Sequence, residues 1–190
     1  MRRLEIWRGA VLAAAVLATG GLLAGHHESG AARGNGSGLP PVANKPWQAE
    51  CGACHLSYHP GLLPARSWQA VMAGLERHFG ENAALDAPTR DAITGFLVAN
   101  AADRNDSRRS AKIVASIAPG ATPVRITETR YFQAKHDDIG AGIWKRPAIG
   151  GAANCGACHR AAEQGDFSER SVAIPRQTAS AAGAPVKATK

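Results

Sequence analysis

The chain has 190 residues, 45% of them hydrophobic but only 5% aromatic, and a formal net charge of +7. That length suits one modest domain or two small ones sharing an interface, and it excludes a large multidomain enzyme. With few aromatic side chains and abundant Ala and Gly, side chains alone make a thin core, a gap that a large apolar prosthetic group would fill.

Arg2 and Arg3 precede an uncharged, Ala-, Val- and Leu-rich stretch from Gly9 to Gly25, the basic and apolar regions of a secretory signal. Residues 1–24 are therefore expected to be a signal peptide, which places the mature protein in the periplasm. A spanning helix needs about 20 apolar residues. This stretch is shorter and contains Gly9, Thr19, Gly20 and Gly21, so cleavage is favoured over an uncleaved membrane anchor. Ala18-Thr19-Gly20 offers small residues around one cleavage point, whereas Ala24 has Leu22 upstream. Loss of these residues removes Arg2, Arg3 and Arg8 with Glu5 and leaves +5. Other basic residues fall in expected tails, so the charge is poor support for nucleic-acid binding.

Residues 25–45 are rich in Gly, Ser and Pro and read as a flexible leader. Cys51-Gly-Ala-Cys54-His55 follows, and this unit is expected to start a helix. Ser67 suits the N-cap of a helix running to about Phe79, with Trp68, Val71, Met72, Leu75 and Phe79 at helical spacing and His78 at the edge of that face. Pro88 suits the first turn of a second helix, in which Ile93, Phe96 and Leu97 are buried and Asn100 lies near the end. Asn105-Asp106 makes a turn, and Ser107 caps a third helix with Ile113, Val114 and Ile117 facing inward. Thr127 or Thr129 opens a fourth, in which Phe132 and His136 share a face. Cys155-Gly-Ala-Cys158-His159 should start the last helix, ending near Gly165, and residues 177–190 form a disordered tail. No alternating run is long enough for a substantial sheet. The fold expected is mainly α.

All four cysteines belong to the two Cys-x-x-Cys-His units, 104 residues apart, with none left for a disulfide scaffold. Two thiols at this spacing can each add to a haem vinyl group while the adjacent imidazole reaches the iron from the same side. The competing zinc reading requires two distant pairs to meet, and a redox dithiol requires a βαβ context that the sequence lacks. Two covalently attached haem c groups are therefore expected, on Cys51, Cys54 and His55 and on Cys155, Cys158 and His159. The organisation becomes a haem 1 region at 46–107 and a haem 2 region at 108–176. Four propionates would offset most of the remaining positive charge.

Each iron needs a second axial ligand or keeps an open position, and that choice separates a carrier from an enzyme. His26 and His27 lie at the signal boundary. His59 follows His55 by four residues on the proximal side and cannot reach around its own porphyrin, so it is a surface residue or approaches the other haem. His78 is the expected ligand for haem 1, with Met72 second because Met at this spacing is more often core. His136 is the expected ligand for haem 2, as the single histidine outside the motif in that half. The spacings mirror each other: His78 follows His55 by 23 residues and His136 precedes His159 by 23.

The segments Trp47-Gln-Ala-Glu-Cys51-Gly-Ala-Cys54-His55-Leu-Ser-Tyr58 through Ser67-Trp68, Met72 to Gly80, Asn100 to Asp103, Arg125 to Thr129, Lys135-His136 and Asn154 to Phe167 closely resemble the periplasmic dihaem cytochrome c family. The resemblance implies an N-terminal helical part like a small class I cytochrome c, a smaller C-terminal haem-binding part, bis-histidine ligation and low potentials. It also implies redox partners: a membrane-bound b-type cytochrome and an oxygen-binding monohaem cytochrome c.

With both irons six-coordinate, the expected role is non-enzymatic electron transfer, with no tight small-molecule substrate. The alternative is a small dihaem enzyme or gas sensor with one displaceable ligand, for which Asp137 and Asp138 are weak acid–base candidates. The basic run Arg104 to Lys112, with Arg108 and Arg109, is a candidate docking face or simply a solvated helix start.

Overall fold

Residues 38–176 are described in the computed structural model of the chain. The expected signal peptide, His26, His27 and the tail from Gln177 lie outside them. Six helices order the chain: α1 (Lys45–Gly52), α2 (Ala65–Ala73), α3 (Ala87–Ala99), α4 (Arg108–Ala115), α5 (Arg130–Lys135) and α6 (Ala141–Trp144), joined by short 3-10 turns. Among the described residues there is no strand, and extended pairing is limited to the isolated bridges His78 with Glu81 and His159 with Val172. The mainly α expectation holds.

Local chemistry sets most helix starts. Asn44 accepts the Trp47 N–H at 2.8 Å to open α1, and Asp86 accepts from Thr89 N at 3.0 Å to open α3, whose first turn holds Pro88. Ser107 caps α4 through Ser110 N, as expected. Of the two threonines offered for α5, Thr129 is the cap: its Oγ1 accepts from Phe132 N and donates to Ile126 O.

The helix expected from Ser67 to Phe79 differs at both ends. It starts at Ala65, whose N–H is capped from a distance by the Asp103 carboxylate at 2.8 Å. Ser67 is a fully buried residue inside the helix and caps nothing. The helix stops at Gly74, a poor helix former, and the chain continues as a 3-10 turn, Leu75–Arg77. Phe79 then adopts φ 55 and turns outward, so it does not join the apolar face.

The main core joins α1, α2 and α3 through Trp47, Leu63, Trp68, Met72, Ile93 and Leu97. The Trp68 indole N–H donates to Pro60 O at 2.7 Å, which satisfies its polar atom in the interior. A second cluster, Leu39, Leu62 and Ile113, is flanked by Ile117, Tyr131 and Phe167. The boundary drawn at 107/108 falls within one packed body, since Ser110 Oγ donates to Gly61 O at 3.0 Å. Residues 38–44, assigned above to the leader, are anchored by buried Leu39, whose N–H donates to Gly165 O at 3.1 Å.

His59 is not a surface residue; it is 3% exposed and staples the chain. Its Nδ1 accepts the Gly61 N–H at 2.9 Å, so in the neutral ring Nε2 carries the proton and donates to Pro40 O at 2.7 Å. Burial holds its pKa below the ordinary 6.5. The folded state therefore binds fewer protons than the unfolded one near that pH. This contribution to stability is complete above about pH 6.5 and is lost as pH falls through the lower folded value. His59→Ala should cost about 2–4 kcal/mol at pH 8 in thermal or urea unfolding, from two unpaired backbone groups and a void. The difference should narrow at pH 5; an equal cost at both pH values would refute the linkage.

Candidate haem sites

The first motif ends a helix instead of starting one. Cys51 lies in the last turn of α1, and Cys54 and His55 follow on the exit loop. His55 Nδ1 sits 2.8 Å from Leu56 O; a carbonyl only accepts, so Nδ1 carries the proton and Nε2 keeps a free lone pair. Facing it is His78, with ring centroids 6.1 Å apart and ring planes within 24°. Between Gly74 and Glu81 the chain folds back on itself, with His78 N donating to Glu81 O at 2.8 Å and Glu81 N to His78 O at 3.1 Å.

The space around this pair is a cavity of 770 Å³, within the about 300–1,000 Å³ typical of small-molecule sites. Its walls include Trp47, Trp68, Met72 and Leu97 from the core, together with Cys51 and Cys54. Met72 is thus both buried core and cavity wall, while His78 faces the motif imidazole. At the mouth, Arg125 lies 4.0 Å over the Phe79 ring and pairs with Glu128 at 3.5 Å.

The second motif begins in a 3-10 turn, Cys155–Ala157, and a separate 3-10 turn, Ala162–Gln164, ends at Gly165 with φ 75. The single helix expected there is thus two short turns. Asn154 Nδ2 donates to Ile149 O at 2.9 Å and fixes the approach to Cys155. His136, just past α5, places Nδ1 2.8 Å from Phe132 O and stacks on the Phe132 ring at 4.1 Å. Trp144 of α6 adds a wall at 5.8 Å. His136 and His159 are again 6.1 Å apart, here with rings at 78°. The recess beside His159 is smaller, 310 Å³, and its lining includes neither His136 nor Phe132.

These separations match the chemistry of a shared metal. Two metal–nitrogen bonds of about 2 Å, with each ring centre about 1 Å behind its nitrogen, put the centroids about 6 Å apart. His159 Nδ1 is buried without a hydrogen-bond partner, an unmet polar atom at the site. Burial first, then the facing imidazole and a nearby guanidinium, lower the pKa of His78 and of His159, favouring the neutral form that ligates metal.

The surroundings of the thiols do not suit a redox dithiol or a zinc pair. Burial pushes Cys51 and Cys155 up to about 11, opposite to the shift of reactive redox cysteines. None of the four is in a disulfide, and among the described residues no three His, Cys, Asp or Glu side chains converge to hold an ion. Two facing imidazole pairs, each including the histidine of a Cys-x-x-Cys-His unit, suit a metal whose remaining ligands come with a macrocycle.

Two features escape the sequence. Tyr58, three residues past His55, donates its hydroxyl to Ala153 O at 2.7 Å, just before the second motif. Arg109 donates to Tyr131 Oη at 3.0 Å and to Phe167 O at 3.2 Å, so that member of the basic run ties α4 to the C-terminal segment. Neither contact has a local pattern that would announce it.

Comparison with known proteins agrees with this chemistry. A family described as dihaem cytochrome c matches residues 47–167. Among solved structures, the chain is similar to the dihaem cytochrome c from Rhodobacter sphaeroides, with 41% identity and a TM-score of 0.60 over 67% of this chain and 98% of that one. It is also similar to the dihaem cytochrome from Shewanella baltica OS155, with 38% identity and a TM-score of 0.57 over 70% and 93%. No curated protein matches the sequence. The chain belongs to the dihaem cytochrome c family and carries two covalently bound haem c groups.

Proposed function

We propose that this protein is a low-potential electron carrier of the periplasm, with His55 and His78 as axial ligands of one iron and His136 and His159 of the other. Cys51, Cys54, Cys155 and Cys158 are the attachment points. Family membership supports the electron-transfer role and redox-protein partners at the coarse level. The observation that carries the finer reading is the pair of facing imidazoles at each motif, both at 6.1 Å. A bound haem supplies a reversible one-electron couple, and imidazole on both faces closes it to substrate. His/His ligation lacks the thioether that raises potential, so both couples are low.

The chain's own part is to hold the ligand rings and keep water from the first site. The carbonyls of Leu56 and Phe132 fix the proton of His55 and His136 on Nδ1, leaving Nε2 for the iron. Trp47 and Trp68 wall the first site with apolar surface. The proposed donor is a membrane b-type cytochrome and the proposed acceptor an oxygen-binding monohaem cytochrome c. Export rests on the N-terminal signal pattern; no helix among the described residues is long and apolar enough to cross a membrane.

Electron paramagnetic resonance of the oxidised holoprotein should show two low-spin ferric centres and negligible high-spin signal. The reduced protein should leave carbon monoxide unbound. A stoichiometric high-spin centre, or ready binding of carbon monoxide, would transfer support to the enzyme or gas-sensor reading.

A further inference from the structure

The two attachment segments border each other's sites. Ala153 and Cys155 form part of the wall of the cavity between His55 and His78. In return Leu56, next to His55, borders the recess beside His159. Across this junction runs the Tyr58 hydrogen bond to Ala153 O, at 2.7 Å and between residues 95 apart in sequence. The Tyr58 ring lies 4.9 Å from the His55 ring, tilted by 33°, and packs against both hydrophobic clusters. A phenol with two torsions costs little entropy to fix, so a half-buried tyrosine makes an economical brace.

We infer that Tyr58 is a positioning residue for electron exchange between the two haem sites. Its hydroxyl holds the 153–155 segment against the first site, and its ring braces the His55 side of the junction. Leu39 N to Gly165 O and Arg109 to Phe167 O anchor the C-terminal segment further along, and the Tyr58 bond is the contact at the junction itself. In the exchange, one electron leaves the ferrous centre of one site and reduces the ferric centre of the other; no bond forms or breaks and no proton moves. External redox proteins supply and remove that electron, so a partner needs to dock against one site alone. This inference rests on the carrier reading above.

The test uses the full holoprotein and Tyr58→Phe, which removes the hydroxyl and keeps the ring. A soluble ruthenium photosensitiser injects less than one electron per molecule, and redistribution between the haems is followed in the visible bands. The expected result is redistribution roughly three- to tenfold slower in the variant, the population effect of losing one hydrogen bond. Low-spin spectra at both haems and the thermal midpoint should stay close to the parent. Equal rates in parent and variant would overturn the inference, as would a parent rate that rises with protein concentration, since exchange would then run between molecules. Should Tyr58→Phe fail to mature, relaxation measurements on the parent decide: each ferric centre should shorten the spin relaxation of the other, and independent relaxation would overturn it. Two low-spin centres that do not exchange would leave the carrier reading intact, whereas a high-spin centre would remove it whatever the exchange rate.

Discussion

In His78→Ala one of the two haems should become high-spin and gain carbon monoxide binding, and in His136→Ala the other should do so. The parent protein should already show the two sites to be unequal. Cyanide or imidazole is expected to displace His78 at roughly 10–100-fold lower concentration than His136, the factor associated with loss of an outer-shell hydrogen bond to a metal ligand. The cause lies in what holds each ring. His136 is fixed by the Phe132 carbonyl at 2.8 Å, stacked on the Phe132 ring at 4.1 Å and walled by Trp144. His78 stands outside any helix, in a fold-back secured through its backbone to Glu81. Its neighbour Phe79 has φ 55, a conformation that costs a residue with a Cβ about 1 kcal/mol or more, and Arg125 over the Phe79 ring offsets part of that. Visible spectra and paramagnetic resonance across a cyanide titration check the order. One transition covering both haems, or displacement of His136 first, would show that ring support does not control access to the iron.

The sequence carried the chemistry of this protein further than its packing. The Cys-x-x-Cys-His units are local covalent machinery, so their meaning survives without a fold. His78 and His136 could be singled out because few histidines remained once the motifs were counted, and the structure brings each within 6.1 Å of its motif imidazole. Helix starts at Pro88, Ser107 and Thr129 were legible because each cap lies within a few residues of what it caps. The start of α2 was not, because its cap is the Asp103 carboxylate, 38 residues away. Its end was misjudged for a related reason. An apolar periodicity from Trp68 to Phe79 continues through Gly74, but the chain breaks there and presents His78 to the cavity. The functional demand of facing His55 overrides the local period.

His59 shows the opposite kind of miss. A histidine four residues past a haem motif invites a role in the site or on the surface, and it has neither, because Pro40 and Gly61 occupy both ring nitrogens. That arrangement depends on the leader returning to pack Leu39 beside Gly165, a contact across 126 residues. Tyr58 is similar in kind: its partner at Ala153 is set by the approach of the two motif segments, which nothing in either flank encodes.

The second large effect concerns the fold itself: a chain that matures without its first haem should lose cooperative unfolding, whereas loss of the second should be milder. Cys51→Ala with Cys54→Ala is the variant for the first site, and Cys155→Ala with Cys158→Ala for the second. The cause is a shared wall. Trp47, Trp68, Met72 and Leu97 are at once the main hydrophobic core and the lining of the 770 Å³ cavity, so this core is complete only around what fills it. Without the haem these side chains lose their packing partner and face water, and for a domain whose total stability is about 5–15 kcal/mol that loss is large. The second imidazole pair is surrounded instead by Phe132, Trp144 and Phe167, none of which belongs to that core. Losing the second haem therefore leaves the main core in place. Urea unfolding followed by far-ultraviolet circular dichroism and tryptophan fluorescence separates the two cases, since Trp47 and Trp68 report directly on the first cavity. The first double variant should show a broad, non-cooperative change with fluorescence already shifted to the red in buffer. The second should keep a sigmoidal transition at reduced midpoint. A sharp transition at the parental midpoint in the first variant, with haem shown by pyridine haemochrome assay to be absent there, would mean that the core closes without its prosthetic group.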